Sequence, residues 1–277
     1  MIGRSRLASL CLLLPLLACV REKAPSPTRD FLESAGLPLR ASVLWVGAHS
    51  DDEALVAGAL LAQLSRTGRR LFVLTLTRGE GTGIRGSEAD EQIAAARARE
   101  YCLACLIYGA EDCVSERFPS RAHLTNSGDR FAESPEEVIE TWKTLGPADP
   151  ARLLEDWIRI VRPAWILTLD PDHGMYGHPE HRAVGKLVLA AARAMSNEFP
   201  TRVFAAENRF ASLLPSNLDP GPVTLRVPGE VPCSPLRSCW QLGAEAVAAY
   251  ASQGLPDFFS IPPGERFTNL RELPVGP

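Results

Sequence analysis

Histidine is scarce in this sequence, and positive charge is not in excess: 277 residues hold five histidines, and 29 Lys and Arg face 33 Asp and Glu. The net charge of -4 and a pI near 5.8 leave no basic field for a phosphate backbone, so nucleic acid is excluded as an expected partner. The apolar run from Leu7 to Ala18 is too short to cross about 30 Å of hydrocarbon as a stable helix. Internal repeats are absent, and so is low-complexity sequence beyond a Pro-rich stretch near the amino terminus. What is there, 45% hydrophobic and 22% charged residues, suffices for one large core of catalytic size.

Arg4 and Arg6 precede the short apolar run, so residues 1–19 read as an export signal. The run ends in "LLAC", which resembles the bacterial lipobox, whose cysteine is acylated and becomes the new amino terminus. On that reading Cys19 carries the lipid and ties the exported chain to the cell envelope, facing periplasm or exterior, at about 0.8 kcal/mol per buried methylene. An ordinary cleaved signal or an uncleaved anchor stays open. Residues 20–40 form a polar, Pro-rich tether, and residues 41–277 the folded domain. Export permits disulfides, so Cys102, Cys105, Cys113, Cys233 and Cys239 are expected as structural thiols or bridges. Cys233 and Cys239 lie close enough to close a small loop; the remaining pairing does not follow from the sequence. Cys102 and Cys105 sit in a helical pattern, which weakens a zinc reading of "CLAC".

From Ala41 the pattern alternates. "SVLWVGA" and "RLFVLTLT" read as buried strands, "EALVAGALLAQLSRTG" as a helix ending at Gly68, and "ADEQIAAARAREYCLACLIYG" as a second long helix. Further on come "PARLLEDWIRIVRP" as helix, "AWILTLD" as strand and "EHRAVGKLVLAAARAM" as helix. This order predicts an α/β fold, a Rossmann-like, mostly parallel sheet with helices on both faces. Residues 111–149 read as a polar excursion with its own short helix, and residues 204–277, rich in proline and glycine, as a cap over the substrate cleft.

Ligands in such sheets gather beyond the carboxyl ends of the strands. There the first strand runs into "AHSDDE", which packs His49, Asp51, Asp52 and Glu53 into five positions. Helix capping accounts for one acid, but not for a histidine with three acids. After "AWILTLD" the chain reads "PDHGMYGHPEH", placing His173, His178 and His181 within nine residues, the last two on one helical face. A lone histidine is usually a core or surface residue; two beside an acid-rich turn indicate a metal site built from both turns.

"AHSDDE" followed by "YGHPEH" resembles the LmbE/PIG-L family of zinc-dependent de-N-acetylases, and the similarity extends to "LTLTRGEGTG", to Arg97 and Glu100, and to "AAYASQ". The resemblance implies zinc, or another divalent transition metal, held by His49, Asp52 and His181, with Asp51 as general base toward a zinc-activated water. It assigns His178, as imidazolium, to oxyanion stabilisation or amine protonation, and Tyr176 to the same oxyanion. Arg78, Glu80 and Arg97 are candidates for sugar hydroxyls, His173 for substrate or surface. Ser50 and Glu180 depart from the usual Pro and Asp without removing a catalytic group. The implied substrate is an N-acetylglucosamine-containing glycoconjugate, from which the acetyl group is removed. A non-catalytic, metal-containing glycan-binding lipoprotein is the alternative, and the retained Asp51 argues against it.

Overall fold

In a computed structural model of the chain, residues 30–79, 88–120, 133–207, 222–253 and 266–275 are described. In chain order the elements are α1 (Phe31–Ser34), β1 (Ser42–Gly47), α2 (Asp52–Arg66), β2 (Arg70–Thr77), α3 (Glu88–Tyr108), β3 (Asp112–Phe118), α4 (Pro135–Leu145), α5 (Pro150–Val161), β4 (Trp165–Thr168), α6 (Pro179–Met195), β5 (Arg202–Glu207), β6 (Leu225–Pro228), β7 (Pro232–Ser234), β8 (Arg237–Ser238), α7 (Cys239–Ala249) and β9 (Phe267–Leu273). Seven strands form one sheet in the order β3-β2-β1-β4-β5-β9-β6, and β7 and β8 make a separate ribbon. The first five strands of that order are parallel; β9 runs antiparallel to both β5 and β6.

β1 is buried along its whole length, as a central parallel strand covered on both faces must be. α2, α3 and α7 pack together on the sheet, and α4, α5 and α6 form a second packed group. Trp45 and Trp165 lie fully buried on the adjacent strands β1 and β4, and Trp165 packs on Phe204 of β5 with ring centroids 4.6 Å apart. Helix starts follow local chemistry. Ser134 forms a capping box with Glu137 before α4, Asp149 caps α5, and each helix has proline in its first turn.

Three expectations change. Residues 30–40, expected within the tether, are part of the fold: they carry α1, and Leu32 and Leu37 are fully buried in the core. Residues 111–149 contain β3, an edge strand whose Asp112, Glu116 and Arg117 leave it without an apolar run. The carboxyl-terminal third does not form a cap in its described parts. β5, β9 and β6 widen the sheet, and α7 packs along α2. Disulfides join Cys105 to Cys113 and Cys233 to Cys239, while Cys102 is exposed and unpaired. No helix among the described residues is long and apolar enough to cross a membrane; Cys19 and the leader lie outside them.

Candidate active site

Strand order reverses between β1 and β4, the switch point at which an open parallel sheet leaves a crevice beyond its carboxyl ends. Both sequence clusters arrive there. After Gly47 the chain turns back on its own carboxylate: Asp52 Oδ2 accepts the backbone N–H groups of Ala48 (2.9 Å) and His49 (2.8 Å). A Cβ on Gly47 would meet Trp45 Nε1 at 2.9 Å and the Asp52 side chain at 3.4 Å, so glycine leaves room for this fold-back. Thr77 of β2 donates its hydroxyl to the Ala48 carbonyl at 2.9 Å and fixes the turn from the other side. Asp51 occupies the cap position of α2, yet its side chain makes no capping bond. Its carboxylate is left for other work.

The second arm leaves β4 through residues 169–178. Gly174 and Gly177 adopt φ of +57° and +85°, values that other residues rarely take. His178 caps α6, its Nδ1 accepting the Glu180 N–H at 3.2 Å, and Pro179 follows in the first turn. A neutral His178 therefore carries its proton on Nε2.

Three donor atoms face one another across the crevice. His49 Nδ1 lies 3.0 Å from His181 Nε2, His181 Nε2 lies 3.1 Å from Asp52 Oδ1, and His49 Nδ1 lies 3.6 Å from the same oxygen. Ligand bonds of 2.0–2.1 Å in a tetrahedral site separate donors by about 3.3–3.4 Å, so the triangle fits a zinc-sized ion. His178 also brings a nitrogen within 4.8 Å of those of His49 and His181. Its Nδ1 is committed to the helix cap, and Asp52 completes the tighter set. His49 Nε2 lies 2.6 Å from Glu180 Oε2, which also accepts the Ser120 hydroxyl at 3.0 Å. A carboxylate behind a metal-facing imidazole fixes its tautomer and raises its basicity. His181 has no such partner: its Nδ1 is buried without a hydrogen bond among the described residues, and the ring lies against the stacked His178 at 4.5 Å and the edge of Tyr176 at 5.3 Å.

The charge balance calls for a cation at this point. Burial opposes a charged His49, but Asp52 and Glu180 outweigh it and hold its pKa well above the ordinary imidazole value. Burial likewise opposes the Asp52 carboxylate, and the facing His181 and His49 prevail, holding it well below the usual range. Burial and the neighbouring Asp52 raise Asp51, while Arg97 pulls it the other way. His178 is pushed well below its ordinary value by burial and by the two other imidazoles. That shift disfavours the imidazolium expected from the sequence and favours a ring that offers an N–H at Nε2. Tyr176 is raised by burial and the nearby acids and keeps its proton.

His49, Asp51, Asp52, Tyr176, His178 and His181 thus come together as expected. Arg97 sits beside Asp51, its guanidinium against Gly79, where φ is +65° and a Cβ would collide with it. Arg78 is engaged elsewhere, in a two-pronged pair with Glu91 at 3.0 Å. His173 is half-buried and gives its backbone N–H to Asp170, while Glu80 lies outside the described residues. Three pairings could not be read from the sequence, although their residues lie in the motifs: Glu180 with His49, Glu53 with the Tyr250 hydroxyl, and Glu100 with Ser252. Each joins residues far apart in the chain.

The family model described as PIG-L, GlcNAc-PI de-N-acetylase, matches residues 44–192, from within β1 to within α6, and so covers both arms. The chain belongs to this family. Among PIG-L relatives, the 1D-myo-inositol 2-acetamido-2-deoxy-alpha-D-glucopyranoside deacetylase of Thermomonospora curvata is 32% identical over 157 residues, 54% of this chain and 51% of that protein. The corresponding enzyme of Rhodococcus opacus is 33% identical over 174 residues, 57% of this chain and 56% of that protein. The chain therefore spans about half the length of the curated relatives it matches. In fold this PIG-L chain is similar to the zinc-inhibited form of teicoplanin deacetylase Orf2, with TM-score 0.61 and 19% identity over 84% of this chain and 97% of that one.

Proposed function

We propose that this protein is a zinc-dependent deacetylase that removes the acetyl group from an N-acetylglucosamine-containing glycoconjugate at an exported, lipid-anchored domain. The observation that carries the reading is the triangle of His49, Asp52 and His181 donor atoms, with a carboxylate oxygen of Asp51 within 4.8 Å of the donors of His49 and Asp52. The relatives' names, which describe an acetamido sugar linked to inositol, support the substrate class.

His49, Asp52 and His181 would hold the metal, which when bound supplies Lewis acidity to acidify water and polarise a carbonyl. Asp51 accepts the proton of the attacking water; its raised pKa brings it closer to the value a base needs. His178, neutral, donates its Nε2–H to the oxygen on which charge develops, and the Tyr176 hydroxyl is the second donor. A neutral His178 has no spare proton for the leaving amine, so Asp51 returns the one it took. Acetate and the free amino sugar result.

Zinc content by elemental analysis and amine release from N-acetylglucosaminides test this together. The metal-free protein should be inactive and recover with zinc, and His181→Ala should lose the metal. A zinc-loaded wild type that binds these glycans and releases no amine would replace this reading with that of a glycan-binding protein.

A further inference from the structure

Behind the histidine turn lies a buried charge cluster that neither the metal triangle nor the proton transfers use. Asp170, two residues beyond β4, is 2% exposed. Its Oδ1 accepts the backbone N–H groups of both Asp172 and His173 at 2.8 Å, which fixes the first half of the turn leading to Tyr176 and His178. Its Oδ2 pairs with Arg271 Nη2. Arg271 comes from β9, opposite Ala205 of β5, and its Nε lies 3.3 Å from Oε1 of Glu207, the last residue of β5. Asp172 on the turn approaches the same guanidinium at 4.0 Å. Three carboxylates, two of them buried, share this one cation among the described residues.

His181 is placed by different means. α6 lies so close under the turn that a Cβ on Gly185 would collide with the Leu169 carbonyl and meet Pro171 at 2.8 Å. Helix packing therefore sets the metal ligand, while hydrogen bonds to Asp170 set the residues between β4 and the helix. Without Arg271, Asp170 would be a buried carboxylate with no cation among the described residues, which is strongly unfavourable unless the group moves. That movement loosens its hold on the two N–H groups.

We infer that Arg271 is a positioning residue: through Asp170 it holds the turn that presents Tyr176 and His178 to the reacting oxygen, and it does so without setting the metal site. This rests on the deacetylase reading for its kinetic consequence, but not for its structural one. Hydrogen exchange in a peptide covering residues 170–178, compared with one inside β4, reports the turn directly. Arg271→Gln should speed exchange at least 10-fold in the turn and leave β4 and zinc content unchanged. Arg271→Lys should restore part of the protection. In kinetics, Arg271→Gln should lower kcat 10- to 100-fold with little change in KM, and the loss should shrink toward nothing in a Tyr176→Phe, His178→Ala background. Unchanged turn exchange, or a loss that simply multiplies with that of the double variant, would overturn the inference. Should Arg271→Gln loosen β4 as well, the isosteric Asp170→Asn decides: it keeps an acceptor at Oδ1 and loses the charge, so faster exchange confined to the turn supports the role and wild-type exchange overturns it. A wild type without activity would sink the enzymatic reading while the exchange result still stands or falls alone.

Discussion

Asp51 and Asp52 are neighbours in sequence with the same side chain, and the fold gives them opposite tasks. Asp52 turns inward, takes two backbone N–H groups on one oxygen and faces His49 and His181 with the other. Asp51 stays outside that web. Asp51→Asn should therefore retain zinc and lower kcat by about 10² to 10⁴, the range for a lost general base. Full zinc loading with wild-type kcat would dismiss Asp51 as the base. His178→Ala should keep the metal and cost about 10² to 10³ in kcat, as for one lost oxyanion donor. The six residues of the site were legible because each lies in one of two short motifs. Glu180 was visible only as a variant of the usual acid; that its carboxylate reaches His49 depends on how α6 approaches β1, which no local pattern encodes.

Elements reach the site through close contacts that leave no room for a side chain. α7 crosses α2 at Gly243, where a Cβ would lie 2.6 Å from the Ala59 backbone nitrogen and 3.0 Å from the Gly58 carbonyl carbon. Gly243→Ala must push the helices apart, and a loss of about 1–3 kcal/mol in urea unfolding is expected. Because α2 carries Asp52 at its amino end, zinc affinity should fall with stability. A second contact ties β9 to β5. Arg202 grips Glu272 at 2.7 and 2.8 Å, stacks over Phe204 at 4.8 Å and reaches the Ala35 carbonyl at 2.8 Å. Its hydrogen bonds hold the Glu272 carboxylate below the ordinary value of 4.5. A depressed folded-state pKa means stabilisation that is present above 4.5 and lost as pH falls through the folded value. Glu272→Gln should thus be about 0.5 kcal/mol less stable at pH 7, allowing for solvent screening of this half-exposed pair, and equal to wild type in strong acid. A difference that persists in acid would show that the loss is not electrostatic. Helices α2, α3, α5 and α6 and strands β1, β2 and β4 were legible from apolar spacing. β3 and β9 were not, because an edge strand and a strand that carries Asn269, Arg271 and Glu272 have no continuous apolar run.

At the scale of the molecule, the proposed catalytic crevice and the proposed envelope anchor should be separable. Cys19→Ser in the full-length chain should abolish fatty-acid labelling and partition into detergent while leaving deacetylation untouched. Unlabelled wild type would refute the lipobox reading. The two disulfides span only eight and six positions, so reduction should cost about 2–3 kcal/mol each on loop-entropy grounds, seen as a lower melting temperature in thiol reagent. The sheet order has a further consequence for biosynthesis. β9 is made after every other described strand, yet it inserts between β5 and β6. Until residues 267–273 emerge, β5 presents the open edge of a half-built sheet and β6 has no neighbour to join. A chain cut short before that point would carry every catalytic side chain, lack Arg271, and expose the kind of unpaired edge on which chains aggregate. β9 therefore decides when the sheet can close over β5 and when β6 can join it.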